Sequence, residues 1–156
     1  MIQMQGIGFG YPKKGPLFRS LDFSVEPGGI VGLLGKNGAG KTSLLKIGAG
    51  LLFPQVGEAE LFGTPAATRD PEATARLAFI PEQFEVPAIP LDDFLRYEAR
   101  YYPRFDAALM EEYLRRFEIS GDGKLTQMSF GQQKKVLLAF ALASMAELVI
   151  LDEPTN

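Results

Sequence analysis

Residues 35–42 read Gly-Lys-Asn-Gly-Ala-Gly-Lys-Thr, a run that could bind phosphate groups. The run matches the pattern of Gly, four residues, and then Gly, Lys and Ser or Thr. Glycines at its fixed positions can adopt backbone angles that other residues avoid, and they let backbone amides turn inward around an anion. The pattern predicts that Lys41 reaches the β- and γ-phosphates of a nucleotide and that the Thr42 hydroxyl ligates Mg²⁺. The predicted nucleotide contacts are Gly35, Asn37, Gly38, Ala39, Gly40, Lys41, Thr42 and Ser43.

The segments on either side of this run favour the nucleotide interpretation over a simple glycine turn that caps a helix. Ile30 to Leu34 is a continuous apolar run, which predicts a strand buried on both faces. Lys41 to Gly50 predicts a helix that ends at glycine. The N-terminal amides of such a helix, and its dipole, point at the same anion. A buried strand, a glycine loop and a helix in this order are the context that a phosphate loop requires.

A pair of carboxylates follows a second apolar run near the end of the sequence. Leu148 to Leu151 predicts a buried strand, and Asp152 and Glu153 come directly after it. Ligands bind at the carboxyl ends of strands in parallel sheets, so we expect Asp152 to hold Mg²⁺ through its water shell and Glu153 to polarise an attacking water. Pro154 predicts an extended backbone at Glu153. The alternative is an acidic loop after a core strand, and the phosphate loop favours the Mg²⁺ interpretation.

Residues 128–132 precede a long predicted helix, Ser129 to Met145. Ser129 and Gln132 have the spacing of a capping box, with Ser at the N-cap and Gln in the first turn. The segment Met128-Ser129-Phe130-Gly131-Gln132 also resembles the signature motif of ABC-type ATPases, whose usual form is Leu-Ser-Gly-Gly-Gln. The resemblance implies that residues 129–132 face the γ-phosphate bound by a partner subunit. The chain departs from the usual form at Met128 and Phe130.

The resemblance to ABC-type ATPases assigns two further positions. Gln83, in Phe79-Ile80-Pro81-Glu82-Gln83, lies where the family has its Q-loop glutamine, which senses Mg²⁺ and links to the transport partner. Gln83 and Glu153 are thus the expected catalytic side chains, and Thr42, Gln83 and Asp152 the expected metal ligands. Tyr11 matches the aromatic residue on which adenine stacks, the alternative being a loop tyrosine packed on the core.

The predicted elements alternate between strands and helices, which implies an α/β domain with a largely parallel sheet. Short apolar runs predict four further strands: Ile2–Phe9, Leu21–Val25, Glu58–Phe62 and Leu77–Ile80. Apolar residues at helical spacing predict two further helices: Leu91–Tyr102 and Asp106–Phe117. Residues 11–16 predict a loop, and Pro103 separates the two helices. The resemblance implies a P-loop NTPase with a RecA-like, mostly parallel sheet, an N-terminal antiparallel β subdomain and a helical signature subdomain over residues 84–145. Residues 1–156 would form a single ABC-type ATP-binding domain.

Composition excludes several classes of site and partner. The chain has 156 residues and a net charge of −3, and it lacks both cysteine and histidine. Disulfides and thiolate metal sites are therefore excluded, and the negative charge argues against a general nucleic-acid surface. No secretory signal is visible from Met1 to Tyr11, and the longest apolar stretch, Val136 to Ala146, is too short to span a bilayer. We expect a cytoplasmic protein, with any membrane component supplied by another chain.

The resemblance implies an ATP-binding and ATP-hydrolysing subunit of an ABC transporter, with ATP and Mg²⁺ as its ligands. Two copies, or this chain and a paired ABC subunit, would enclose two ATP molecules and drive a transmembrane permease from the inner face of the membrane. Tyr101 to Asp106 resembles a segment of bacterial export ATPases, which indicates export. The alternatives are a non-transport ABC ATPase, a P-loop kinase, and an ATP-binding fragment that is inactive alone. The kinase alternative does not explain why Gln83, the segment Ser129 to Gln132 and Glu153 occur together in the chain order of ABC-type ATPases.

Members of the family continue beyond the position of Asn156 into a D-loop, another strand and a switch histidine. We therefore expect a chain that is incomplete at its C-terminus. In the RecA-like sheet of this family, the strand after the acidic pair inserts between the phosphate-loop strand and the strand that leads to the acidic pair. Ile30–Leu34 and Leu148–Leu151 would then flank an empty position, so the chain alone should fold imperfectly and hydrolyse little ATP.

Overall fold

A computed structural model describes residues 1–120 and 123–154 of the chain. The chain divides into two compact units, residues 1–74 and residues 75–156. The elements of the first unit are β1 (Ile2–Tyr11), β2 (Gly15–Val25), α1 (Lys41–Gly48), β3 (Val56–Leu61), β4 (Thr64–Pro65) and α2 (Pro71–Thr74). The elements of the second are β5 (Leu77–Ile80), α3 (Leu91–Glu98), α4 (Ala107–Arg116), α5 (Phe130–Ala143) and β6 (Leu148–Leu151).

The first unit is built on a four-stranded antiparallel sheet with the strand order β2-β1-β3-β4. β1 and β2 form a hairpin whose pairs run from Ile2 with Val25 to Tyr11 with Gly15. The predicted loop over residues 11–16 is therefore too long. Gly15 and Lys13 both have positive φ, which lets the chain reverse in a short turn and keeps both strands paired up to it. The predicted N-terminal antiparallel subdomain is confirmed.

Helix α1 packs against the sheet of the first unit through small and apolar side chains. Leu44 and Ile47 on the helix are buried, as are Ile2 and Met4 on β1. A Cβ at Gly48 would lie 2.7 Å from the Cε of Met4, so the helix approaches β1 as closely as a glycine allows. This contact fixes the C-terminal end of α1 relative to β1.

The prediction of a buried strand at residues 30–34 is wrong for this structure. Residues 30–34 have no regular secondary structure, and Ile30 and Leu34 are almost fully exposed. A strand exists only where a neighbour pairs with its backbone, and no strand within residues 1–120 or 123–154 pairs with this segment. The apolar run predicted the burial that a partner strand would provide, but sequence pattern alone does not supply the partner.

The second unit contains a parallel pair of strands. β5 and β6 pair in register from Leu77 with Leu148 to Ile80 with Leu151, and both strands have the predicted bounds. Arg76 and Glu147 stand just before the two strands and form a bidentate ion pair with nitrogen–oxygen distances of 3.1 and 2.9 Å. The hydrogen bond from Arg76 lowers the pKa of the Glu147 carboxyl, with further lowering by the charges of Arg76 and Arg104. The ion pair thus ties the two strands together where they begin.

Three helices enclose the core of the second unit. Phe140 of α5 lies near its centre, with ring centroids 5.9 Å from Phe94, 5.5 Å from Tyr102 and 5.2 Å from Phe105. The break predicted at Pro103 is confirmed, because α3 and a short 3₁₀ turn end at residue 101 and α4 begins at Ala107. Burial is the main cause that raises the pKa of the Tyr102 hydroxyl, which donates to the Leu77 carbonyl at 3.3 Å.

Helix α5 has a central position in this unit. Its apolar residues pack against α3 and α4, and its Ala141 packs with Ala78 and Ile80 of β5. The helix therefore links the helical core to the parallel strands. Within the described ranges, the structure contains no helix that is both long and apolar enough to cross a membrane.

Candidate functional site

The phosphate loop has the backbone conformation that its glycines predict. Gly38 has a φ of 81° and Gly40 a φ of 98°, both in the left-handed region. A Cβ at Gly40 would lie 2.8 Å from the Cζ of Phe18 and 2.9 Å from the Cδ2 of Leu17. Gly40 is thus required both for its backbone angle and for the close approach of β2. The loop is held in place by the strand that it contacts.

Lys41 and Thr42 occupy the first turn of α1. The Lys41 Nζ donates to the Gly35 carbonyl at 2.9 Å, so its ammonium group lies back over the start of the loop. The first turn of α1 contains no acidic side chain, and the positive end of the helix dipole is not neutralised from within the turn. A positive charge, a hydroxyl and the N-terminal amides of a helix therefore lie within one turn, which suits a polyanion with a bound cation.

Tyr11 is positioned beside the phosphate loop. Its hydroxyl forms a 3.0 Å hydrogen bond with the Oγ of Ser43, which is the third residue of α1. Its ring packs edge-on against Phe9 with a centroid distance of 5.0 Å and stays 42% exposed. The structure therefore brings the predicted adenine-stacking residue next to the predicted phosphate site, within a single unit.

The Q-loop and the acidic pair leave from the same edge of the parallel strands. The Asp152 amide donates to the Ile80 carbonyl at 2.9 Å, so the carboxyl ends of β5 and β6 lie side by side. Gln83 follows β5 in an exposed segment, whereas Asp152 is only 2% exposed. A buried carboxylate at the carboxyl end of a parallel strand is a position at which such sheets bind ligands.

The backbone of Glu153 differs from the prediction. Pro154 predicted an extended conformation, but Glu153 has a φ of 48°, in the left-handed region. The Nζ of Lys134 donates to the Glu153 carbonyl at 2.6 Å, and this contact from α5 accompanies the unusual angle. The local preference that proline imposes on the residue before it is therefore not followed here.

The signature segment begins α5 with the predicted capping box. The Gln132 amide donates to the Ser129 Oγ at 3.3 Å, and the Ser129 amide donates to the Gln132 Oε1 at 2.9 Å. Ser129, Gly131 and Gln132 are exposed, and no heavy atom of another described segment lies within 4 Å of the position a Cβ would take on Gly131. The start of the helix is therefore ordered by its own cap and open on the outside.

Phe130 joins the signature segment to the Q-loop. Its ring stacks on Phe84, the residue after Gln83, with a centroid distance of 4.8 Å and an interplanar angle of 15°. Sequence reasoning noted Phe130 as a departure from the usual motif and missed this contact. The available signal was an aromatic residue in or beside each of two segments with a predicted function.

Lys134 is a second contact that sequence reasoning missed. It is 5% exposed, and its Nζ reaches Glu153 from one helical turn beyond Phe130. The signal was the pair Lys134-Lys135, which stands directly before the apolar stretch that begins at Val136. Its burial depends on residues far away in the chain, which periodicity does not reveal.

The predicted site residues thus fall into two groups. Tyr11 and the phosphate loop belong to the first unit, and Gln83, the signature segment and the acidic pair belong to the second. Each group is brought together within its own unit by the contacts given above.

The motif order and the geometry agree with a comparison against protein families. A family model described as ABC transporter matches residues 18–156. The chain belongs to the ABC transporter family. A solved structure described as the ATP binding subunit of an ABC transporter aligns with 99% of the chain, at a TM-score of 0.84 and 28% identity, and the chain covers 66% of it. The predicted fold class of an ABC-type P-loop domain is confirmed.

Curated relatives include ATP-binding proteins of export systems. The chain is 34% identical over 143 residues to Nod factor export ATP-binding protein I of Cupriavidus metallidurans, covering 88% of the chain and 47% of the relative. It is 35% identical over 164 residues to the SkfA peptide export ATP-binding protein SkfE of Bacillus subtilis, covering 99% of the chain and 66% of the relative. The chain therefore spans between about half and two thirds of the length of these relatives.

Proposed function

We propose that this chain provides the ATP-binding and ATP-hydrolysing part of an ABC transporter subunit. The observation that carries the proposal is the phosphate loop, in which left-handed glycines lead into α1 and Lys41 lies over the loop. Backbone amides, an ammonium group and a helix dipole directed at one point are the features that bind the phosphates of a nucleotide.

Each remaining residue has a role that its chemistry supports. Mg²⁺ takes oxygen ligands and keeps much of its water, and the Thr42 hydroxyl, the Gln83 side chain and the buried Asp152 carboxylate supply donors of that type. Bound Mg²⁺ would neutralise charge on the phosphates. Glu153 would accept a hydrogen bond from the attacking water and so orient and polarise it. The exposed ring of Tyr11 would stack on adenine.

The signature segment supports pairing with a second ABC subunit. Ser129, Gly131 and Gln132 are exposed at the start of α5, whose first turn carries no acidic side chain. A positive helix end with exposed residues suits the γ-phosphate of an ATP bound by another subunit. We propose a homodimer or a paired ABC subunit, acting with a transmembrane permease at the inner face of the membrane. The names of the two export relatives favour export as the direction of transport.

A second candidate function is ATP binding without efficient hydrolysis. The exposed apolar segment at residues 30–34 favours it for the chain taken alone, because this segment leads directly into the phosphate loop. An unpaired segment positions the loop less firmly than a strand within a sheet would.

Calorimetry with Mg-ATP tests the proposal by comparing two lysines of the same loop. Lys41→Ala removes the ammonium group that lies over the loop and should abolish measurable binding. Lys36→Ala removes an exposed charge at a variable position and should change the affinity by about threefold or less, as expected for a screened surface charge. Circular dichroism of both variants checks that the fold is kept. Equal affinity of Lys41→Ala and wild type would refute the phosphate-loop assignment.

A further inference from the structure

Lys134 is a buried charge in the second unit that the functions assigned so far do not use. It lies on the second turn of α5 and is 5% exposed. A buried ammonium group is unfavourable unless it donates hydrogen bonds. Its Nζ donates to the Glu153 carbonyl at 2.6 Å, a short contact of the charge-assisted type.

The acceptor of this hydrogen bond is a residue in an unfavourable conformation. Glu153 has a φ of 48°, which is uncommon for any residue other than glycine and occurs here directly before a proline. Such angles persist only where surrounding contacts hold them, and they are concentrated at functional sites. The Lys134 contact is made to the backbone of Glu153, and it therefore acts on the angle that directs the side chain.

A further contact helps to fix the position of the ammonium group. The Nζ of Lys134 lies 6.0 Å from the ring centroid of Phe130, one turn earlier on the same helix face. Phe130 in turn stacks on Phe84, so the lysine is bounded on one side by an aromatic pair that is itself packed. This arrangement gives the hydrogen bond a defined direction from α5 to the end of β6.

We propose that Lys134 is a positioning residue for Glu153: its hydrogen bond to the Glu153 carbonyl holds the left-handed backbone that aims the carboxylate at the attacking water. The proposal rests on the proposed function, in which Glu153 polarises that water. In this role Lys134 acts through the Glu153 backbone and not on the water or the nucleotide. Its removal should therefore impair turnover while leaving ATP binding, which depends on the phosphate loop, intact.

The test compares Lys134→Met with Lys135→Met in the full-length protein. Methionine keeps the length and apolar stem of lysine and removes the donor. Lys135, its neighbour, is exposed and donates to the Phe117 carbonyl at 3.3 Å, away from the acidic pair. We expect Lys134→Met to lower kcat about tenfold or more, the equivalent of one lost charge-assisted hydrogen bond, with KM and the Kd for ATP unchanged within about twofold. Lys135→Met should leave kcat at the wild-type value.

Two further measurements separate positioning from a merely structural role. Lys134→Gln retains a shorter donor and should give an intermediate kcat. In the Glu153→Gln background, Lys134→Met should add no further loss of turnover, because the carboxylate that it positions is already absent. Equal kcat in Lys134→Met and wild type, or an additional loss in the Glu153→Gln background, would overturn the proposal.

A spectroscopic measurement keeps the test independent of catalysis. With carbonyl-labelled glutamate, the ¹³C resonance of Glu153 can be assigned from its loss in Glu153→Gln. Loss of the ammonium donor in Lys134→Met should move that resonance upfield, and Lys135→Met should leave it in place. Absence of ATP hydrolysis by the wild-type protein would contradict the proposed function, whereas an unmoved carbonyl resonance in Lys134→Met would contradict the contact itself.

Discussion

Gly40 and Glu153 both have positive φ, and they reach it by different means. Gly40 adopts 98° without steric cost and leaves room for Leu17 and Phe18. Glu153 adopts 48° while the Lys134 ammonium group binds its carbonyl. The conformation of the phosphate loop therefore follows from residue type, whereas the end of β6 combines an unusual backbone angle with a contact from a distant side chain. The conformation of the phosphate loop was therefore predictable from sequence, whereas that of Glu153 was not.

The carboxylate of Glu153 is expected to act in turnover and not in binding. Glu153→Gln keeps the size and hydrogen-bonding capacity of the side chain and removes the charge that polarises water. In the full-length protein we expect unchanged ATP affinity by calorimetry and a fall in phosphate release of about 10² or more, as for the loss of a general base. Trapped ATP should also stabilise a dimer that is visible by size-exclusion chromatography.

Glu85→Gln is the matched control for this prediction, because Glu85 is an exposed acid in the same unit with no assigned role. Its phosphate release should equal that of the wild type. Turnover of Glu153→Gln within a few-fold of the wild type would show that another group activates the water.

Residue-level prediction succeeded where a residue's own chemistry determines its conformation. The glycines of residues 35–42 and the capping box of Ser129 and Gln132 depend on neighbours in the sequence, and the capping box is confirmed by its hydrogen bonds. The extended conformation predicted for Glu153 is wrong because it used the local effect of Pro154 alone. Lys134 contacts Glu153 from 19 positions away, and sequence spacing contains no sign of that contact.

Helix α5 is the element on which the second unit depends. It begins at the signature segment, packs on α3, α4 and β5, and carries both Phe130 and Lys134 on one face. The Q-loop and the acidic pair are each in contact with this face, the first through Phe84 and the second through Glu153. A small displacement of α5 would therefore reach the Q-loop and the acidic pair together.

A double-mutant cycle measures how strongly the Q-loop is coupled to α5. Phe84→Leu and Phe130→Leu each remove one ring of the stack and retain an apolar side chain. From the usual strength of stacked aromatic pairs, we expect a coupling free energy of about 1 kcal/mol in chemical unfolding. The double mutant should accordingly be less destabilised than the sum of the single mutants.

The control cycle pairs Phe130→Leu with Phe117→Leu. Phe117 stacks on Tyr113 of α4, with a centroid distance of 6.1 Å, and forms no ring contact with Phe130 among the contacts found in the described residues. The two changes should therefore be additive. Additivity in the Phe84 cycle as well would show that the stack contributes no coupling, and the Q-loop would then be positioned by other contacts.

Sequence pattern predicted the longer elements of both units, missed the short elements β4 and α2, and predicted a strand at residues 30–34 that the structure lacks. The strands β5 and β6 match their predicted bounds, and the helices α3 to α5 begin within a few residues of theirs, because short apolar runs and capping residues mark them locally. Residues 30–34 have an equally apolar pattern and form no strand. The pattern specifies that a segment prefers burial, but it does not show which strand, if any, would pair with it.

At the scale of the whole molecule, the antiparallel sheet and the parallel pair belong to separate units. Residues 30–34 are in the first unit, directly before the phosphate loop, and expose Ile30, Val31 and Leu34. The chain covers 47% of the Nod factor export relative and 66% of the SkfE relative. A strand that pairs with residues 30–34 in the full-length protein would bury these side chains and fix the start of the loop.

Amide hydrogen exchange tests this expectation segment by segment. In the 156-residue chain, the amides of residues 30–34 should exchange nearly as fast as in an unfolded peptide, because no strand in the described ranges pairs with them. The amides of β1, which pair with both β2 and β3, should be protected and provide the internal reference. In a full-length protein with further residues after Asn156, residues 30–34 should gain protection of about a hundredfold or more, typical of a strand within a sheet.

Exposed apolar strands also associate with one another, so protection in the short chain that rises with protein concentration would reveal pairing between copies. Equal protection in both forms at low concentration would show that residues 30–34 position the phosphate loop without any partner strand.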